Sequence, residues 1–111
     1  MKRNMSETIK HELKTITNAI TANTEAVAIY LFGSFAYGQP HKDSDLDIYT
    51  VIPDADVDTL VLGGKIQTDL YKKINTPLDL LIGKQSSFDR RKKMLTLENI
   101  IEERGIKLYG N

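Results

Sequence analysis

No cysteine occurs anywhere in the 111 residues. That absence excludes disulfides, thiolate catalysis, zinc fingers and iron–sulfur clusters. An excess of charge is missing too, since fifteen basic residues balance fifteen acidic ones. No bulk field draws in nucleic acid or an anionic membrane, so strong nucleic-acid binding is not expected. Long apolar runs are also lacking. The longest, Ala26 to Phe32, has seven residues, far short of the roughly 20 a membrane span needs. The basic start Met1-Lys2-Arg3-Asn4-Met5 leads into no apolar stretch, so a secretory signal is not expected. No repeat or low-complexity tract divides the chain. The expectation is one domain over residues 1–111, in a reducing, cytosolic environment. With 41% apolar and 27% charged residues, a chain of this length buries about two-thirds of its unfolded surface without staples.

What is present is an alternation of periodicities. Ile9, Leu13, Ile16 and Ile20 recur at spacings of four, three and four, which predicts a helix over 5–22 with Asn4 or Ser6 as its cap. Ala26 to Phe32 is apolar on both parities and predicts a strand buried on both faces, central in a sheet. Gly33 stops it, and Ser34 to Gly38 is turn-like. Ser44 to Ile52 alternates, with Leu46, Ile48 and Ile52 on one face and Asp45, Asp47 and Tyr49 on the other. It predicts a half-buried strand whose second face is polar. A helix is expected between Pro53 and about Ile74. Gly63-Gly64 weakens its middle by about 1 kcal/mol per glycine, which favours a start after them. Pro77 to Ile82 reads as a third strand and Ser87 to Arg104 as two helical pieces. Gly105 suits a helix C-cap, and Ile106 to Tyr109 a short closing strand. This order predicts an α/β (α+β) domain with a mixed β-sheet and helices packed on one face.

The acids lie where acids are costly. The period of two places Asp45 and Asp47 on one strand face, their Cα atoms roughly 6.5–7 Å apart. Two ionised carboxylates that close repel, so that either one protonates or a cation sits between them, and a hard divalent ion such as Mg²⁺ suits them. Asp79, in Pro77-Leu-Asp-Leu-Leu81, needs a partner among its leucines. A strand adjacent to the Asp45/Asp47 strand would gather all three into one cluster able to hold two metals. A solvated edge strand accounts for Asp45 as well, and a salt bridge for Asp79. Upstream, Gly33-Ser34 follows a buried strand at a sharp turn, where glycine lets an anion approach the main chain and serine adds a donor. A plain strand-ending turn reads the same two residues equally.

Together, Leu31-Phe-Gly-Ser-Phe-Ala-Tyr-Gly38 and Asp43-Ser-Asp-Leu-Asp-Ile48 resemble the signature of the DNA polymerase beta-type nucleotidyltransferase superfamily. That signature is Gly-Ser, about ten residues, Asp-x-Asp, and a third acid on a later strand. The size resembles the minimal nucleotidyltransferases, from the first helix to the closing Gly105-Ile-Lys-Leu-Tyr-Gly110. The resemblance implies that Gly33 and Ser34 hold the β- and γ-phosphates of a nucleoside triphosphate. It implies that Asp45 and Asp47 ligate two Mg²⁺ ions, and that Asp79 completes the catalytic metal site and helps deprotonate an acceptor hydroxyl. Many relatives carry arginine where Tyr37 stands, while others carry tyrosine, so the resemblance leaves weaker triphosphate binding open unless Lys42 or the run Arg90-Arg91-Lys92-Lys93 substitutes. A solvated helix face is the plainer reading of that run. Tyr49 shares a face with the acids and either borders the nucleotide or packs. His11 and His41 have no ligand-like spacing and read as surface residues.

The function this implies is transfer of AMP from ATP to a hydroxyl. Minimal nucleotidyltransferases of this type resemble antitoxins encoded beside a helical (HEPN) ribonuclease toxin, in which a toxin tyrosine is the acceptor. The expected partners are therefore a nucleoside triphosphate and an HEPN-type toxin, with no membrane. An exposed strand edge leaves a homo-oligomer open. The alternatives are a binding module that neutralises its partner by contact and a small subunit modifying an antibiotic hydroxyl. Nucleic-acid polymerisation fits a chain of zero net charge least.

Overall fold

The computed structural model describes residues 5–110. Its first helix starts where a side chain can replace a missing turn. Ser6 accepts a hydrogen bond from the Ile9 amide at 3.1 Å, and Glu7 lies in the first turn, where the helix dipole favours an acid. Helix α1 (Glu7–Asn23) buries Leu13, Ile16 and Ile20 as its spacing predicts. The alternative cap Asn4 lies outside the described residues.

Strand β1 (Ala28–Phe32) is buried at all five positions. It runs antiparallel to β2 (Leu46–Ile52) on one side and to β4 (Ile106–Gly110) on the other. Helix α2 (Thr59–Leu70) then carries the chain to β3 (Leu78–Lys84), which lies parallel to β2. The sheet is therefore mixed, in the order β3-β2-β1-β4. Two short helices, α3 (Gln85–Arg91) and α4 (Leu97–Arg104), separate β3 from β4. No helix is long and apolar enough to cross a membrane among the described residues.

Three expectations change. Helix α2 begins before Gly63-Gly64, because the Asp58 carboxylate accepts from the amides of Leu60 and Val61 at 3.0 and 3.3 Å. That cap and the buried Leu62, Ile66 and Leu70 outweigh the glycine cost. Helices are not confined to one face. Helices α1 and α2 pack on Ile29, Leu31, Leu46, Ile48 and Ile52, while Phe88 of α3 and Ile101 of α4 cover Ala28, Tyr30, Phe32, Tyr49 and Val51 on the other. For the same reason the second face of β2 is not polar throughout. It is polar at the Asp47 end and apolar beyond it.

One buried acid ties the layers together. Glu12, only 4% exposed, accepts from the Asn75 amide at 2.5 Å and from the Thr76 hydroxyl at 2.6 Å. It thereby pins α1 to the loop that leads into β3 and sets where Asp79 emerges. Removing it in Glu12→Ala loses two hydrogen bonds to a buried charged acceptor. The expected loss is about 2–3 kcal/mol of unfolding free energy, read from urea denaturation as a lower midpoint at unchanged slope.

Candidate active site

The parallel pairing of β2 and β3 settles the relation of the acids. Asp47 lies in register opposite Asp79, between the pairs Leu46–Leu78 and Ile48–Leu80. Backbones of neighbouring strands run about 4.8 Å apart, so two carboxylates in register share one small region. Asp45 sits immediately before β2. A self-braced turn delivers it: the His41 amide donates to Ser44 Oγ at 2.9 Å, and the Ser44 amide donates to the His41 carbonyl at 2.9 Å. Ser44 is buried, whereas Asp45 and Asp79 are exposed and Asp47 is half-buried. His41 and His11 are exposed. His41 serves the turn, its Nδ1 accepting from the Asp43 amide at 3.3 Å.

The electrostatics follow from this crowding. Burial, then the charge of Asp79, then that of Asp45, push the Asp47 carboxyl above the usual aspartate value. A cation near Asp47 would relieve that repulsion, and the donors on offer are hard oxygens suited to Mg²⁺. Among the described residues no three acidic or histidine side chains are already closed into a metal cage. Mg²⁺ does not require one, because it ordinarily binds through one or two carboxylates and completes its shell with water and substrate phosphates. The residues present therefore fit the ion.

Gly33 closes the other side. Its φ of +76° lies in the left-handed region that L side chains rarely adopt. A Cβ there would overlap the Asp47 carboxylate. Phe32, just before it, pairs in register with Asp47. After Gly33 the chain coils tightly: the amides of Ala36 and Tyr37 both donate to the Gly33 carbonyl at 3.0 Å, and the Gln39 amide donates to the Ser34 carbonyl at 2.9 Å. The Ser34 and Phe35 amides and the Ser34 hydroxyl take no partner among the described residues. Unbonded amides in a tight glycine turn form a concavity able to receive an anion. Gly33, Ser34, Asp45, Asp47 and Asp79 thus converge at one end of the sheet.

Tyr49, one step further along the face, packs. It is 5% exposed, and its hydroxyl donates to Glu98 at 3.0 Å, while Arg91 Nε donates to the other Glu98 oxygen at 3.0 Å. Burial and the Glu98 carboxylate push the phenol far above its ordinary range, so it remains a donor. Burial works to raise the Glu98 carboxyl, but its own backbone amide, Arg91 and Tyr49 together hold it below the usual range. A Cβ on Gly83 would overlap the Tyr49 hydroxyl, so the glycine in β3 makes room for this network. The basic run is partly spent on structure. Arg91 is held by Glu98, and Lys92 reaches Asp89 at 3.4 Å and Glu102 at 3.7 Å. Local sequence offers no signal for the Tyr49–Glu98–Arg91 network or for Arg104, whose guanidinium carbon lies 4.5 Å from the centre of the Tyr37 ring. Both join residues distant along the chain.

Solved structures share this arrangement of elements. A crystal structure of a toxin–antitoxin with AMP-PNP is 20% identical, with a TM-score of 0.64, over 89% of this chain and 73% of that one. A mutant of the toxin–antitoxin pair MntA-HpeT is 21% identical at a TM-score of 0.62, with the same coverage. A protein of Sulfolobus solfataricus described as a nucleotidyltransferase is 16% identical at a TM-score of 0.57, over 97% and 91% of the two chains. At such identities the likeness shows the fold. Among curated proteins none matches. The family model "Polymerase beta, Nucleotidyltransferase" matches residues 14–107, a span that holds every acid of the cluster and the Gly33-Ser34 turn, and the chain belongs to that nucleotidyltransferase family.

Proposed function

We propose that the chain is a single minimal nucleotidyltransferase domain that transfers AMP from ATP, with Mg²⁺, to a tyrosine hydroxyl of an HEPN-type toxin and so acts as a cytosolic antitoxin. The observation that carries the reading is the in-register pairing of Asp47 with Asp79, beside a glycine turn so close to Asp47 that a Cβ on Gly33 would overlap its carboxylate. Support for the partner comes from the toxin–antitoxin structures that share the fold, one of them with AMP-PNP.

In this reading the Ser34 and Phe35 amides and the Ser34 hydroxyl bind the β- and γ-phosphates. They hold the α-phosphorus toward the carboxylates, which converts a bimolecular encounter into an oriented one. Asp45 and Asp47 would hold Mg²⁺ with the phosphates, and Asp79 would complete the site. When bound, the metal supplies charge neutralisation on the triphosphate and a more acidic acceptor hydroxyl. The acceptor oxygen forms a bond to the α-phosphorus as the bond to pyrophosphate breaks. The hydroxyl proton passes to the Asp79 carboxylate. Asp45 and Asp79 are exposed, so an acceptor carried on another protein can reach them directly.

The test uses ATP labelled at the α-phosphate in one reaction and at the γ-phosphate in another, with Mg²⁺, the chain and a lysate of its source cell. Label from the α-position on one protein band, with none from the γ-position, is the expected outcome. Label from the γ-position would mean phosphoryl transfer. ATP binding without any transfer would favour a module that neutralises its partner by contact.

A further inference from the structure

The Gly33 turn presents amide and hydroxyl donors but no charge of its own. A triphosphate carries several negative charges, and neutral donors alone bind such an anion less well than charge-assisted ones. Tyr37, at the end of the coil, brings none. The turn is nevertheless not without a cation, because α4 delivers one across the sheet edge. Leu31 of β1 pairs with Ile106 of β4, so the residues preceding Ile106 run beside the Phe32–Gly33 end of β1. Gly105 lies so close that a Cβ would crowd the carbonyls of Ile101 and Leu31. This tight passage fixes the position of Arg104, the last residue of α4.

The Arg104 guanidinium lies 4.5 Å from the centre of the Tyr37 ring. A cation over a ring face is held by its charge, and one ring cannot engage all five guanidinium N–H donors, so donors remain for an anion. Among the described residues no carboxylate pairs with it, in contrast to Arg91 and Lys92. The ring thus works as a platform that preorganises an unpaired arginine beside the anion-binding turn.

We propose that Arg104, held by Tyr37, supplies the cationic contact to the β- and γ-phosphates of the bound nucleotide. The inference rests on the reading above that the Gly33 turn binds a nucleoside triphosphate. Arg104 is a binding residue in this scheme and Tyr37 a positioning residue.

Equilibrium binding of ATP, AMP and inorganic tripolyphosphate, each with excess Mg²⁺, tests it on the native chain and on Arg104→Gln, Tyr37→Phe and Tyr37→Ala. Arg104→Gln is expected to weaken ATP and tripolyphosphate by about tenfold or more, the effect of losing a charge-assisted contact. AMP, which lacks both outer phosphates, should bind as before. Tyr37→Phe keeps the platform and should match the native chain, whereas Tyr37→Ala should lose part of the ATP affinity. Tyr37→Arg placed in the Arg104→Gln background should restore it. Thermal melting of Arg104→Gln at the native temperature separates a lost contact from a lost fold. Equal ATP affinity in the native chain and Arg104→Gln overturns the proposal, as does an equal loss for AMP. A native chain that binds neither ATP nor tripolyphosphate overturns the nucleotide reading, and the role of Arg104 with it.

Discussion

Asp47→Asn is expected to abolish AMP transfer, by about 10³-fold or more in rate, or roughly 4 kcal/mol of transition-state stabilisation, while the folded chain melts no lower than the native one. The two halves of this result have one cause. Asp47 stands in register with Asp79 and two residues from Asp45, and its carboxyl is held above the usual value by burial and by both neighbours. The folded chain therefore binds a proton at Asp47 more tightly than the unfolded chain does. Stability falls as pH rises from the ordinary aspartate value of 3.8 through the higher folded value, and the penalty persists above it. An amide of the same shape carries no charge and escapes the penalty. Melting curves across this range should show the variant gaining on the native chain as the pH rises, then keeping its lead. Mg²⁺ should raise the melting temperature of the native chain at neutral pH and leave that of Asp47→Asn nearly unmoved. A variant that melts well below the native protein would contradict this account of the cluster.

Gly33→Ala should damage both the fold and the chemistry, and comparison with Gly38→Ala separates the causes. The two glycines have nearly the same backbone, φ +76° and +78°, so each alanine carries a conformational cost of about 1–3 kcal/mol. A Cβ on Gly38 meets nothing within 4 Å, whereas one on Gly33 overlaps the Asp47 carboxylate. Gly38→Ala should show the backbone cost alone and retain transfer. Gly33→Ala should lose additional stability and displace Asp47. A displacement of about 1 Å at a reacting centre costs about 10²-fold in rate. Urea denaturation and the labelled-ATP assay on both variants read the two effects. Equal stability losses would show that Asp47 moves aside freely.

Legibility in the sequence tracked how local each cause was. Ile9, Leu13, Ile16 and Ile20 marked α1 because helix period and burial agree there. Ala26 to Phe32 marked an inner strand because both parities are apolar, and β1 is inner and buried throughout. The Gly33-Ser34 and Asp45-x-Asp47 spacing marked residues that the fold brings together at one end of the sheet. Elsewhere local reasoning misled or was silent. Gly63-Gly64 argued for a late helix start, yet Asp58 and three buried side chains decide otherwise. Glu12 lies outside the Ile9, Leu13, Ile16 and Ile20 stripe of α1, yet the loop before β3 bonds to it and makes it a buried anchor. Tyr49 shares parity with the acids, and Phe88 from α3 together with Glu98 from α4 makes it part of the packing.

By itself the sequence determined the order of elements, the inner strand and the residue types that converge on one end of the sheet. Periodicity and turn chemistry act over a few residues, and a few residues suffice to express them. The tertiary structure decided which strand lies beside which, and hence that Asp79 faces Asp47. It also decided that a second pair of helices covers the far face and that Arg104 reaches Tyr37. Those facts depend on packing between segments distant along the chain, where burial of apolar area selects the pairing and no local pattern encodes it.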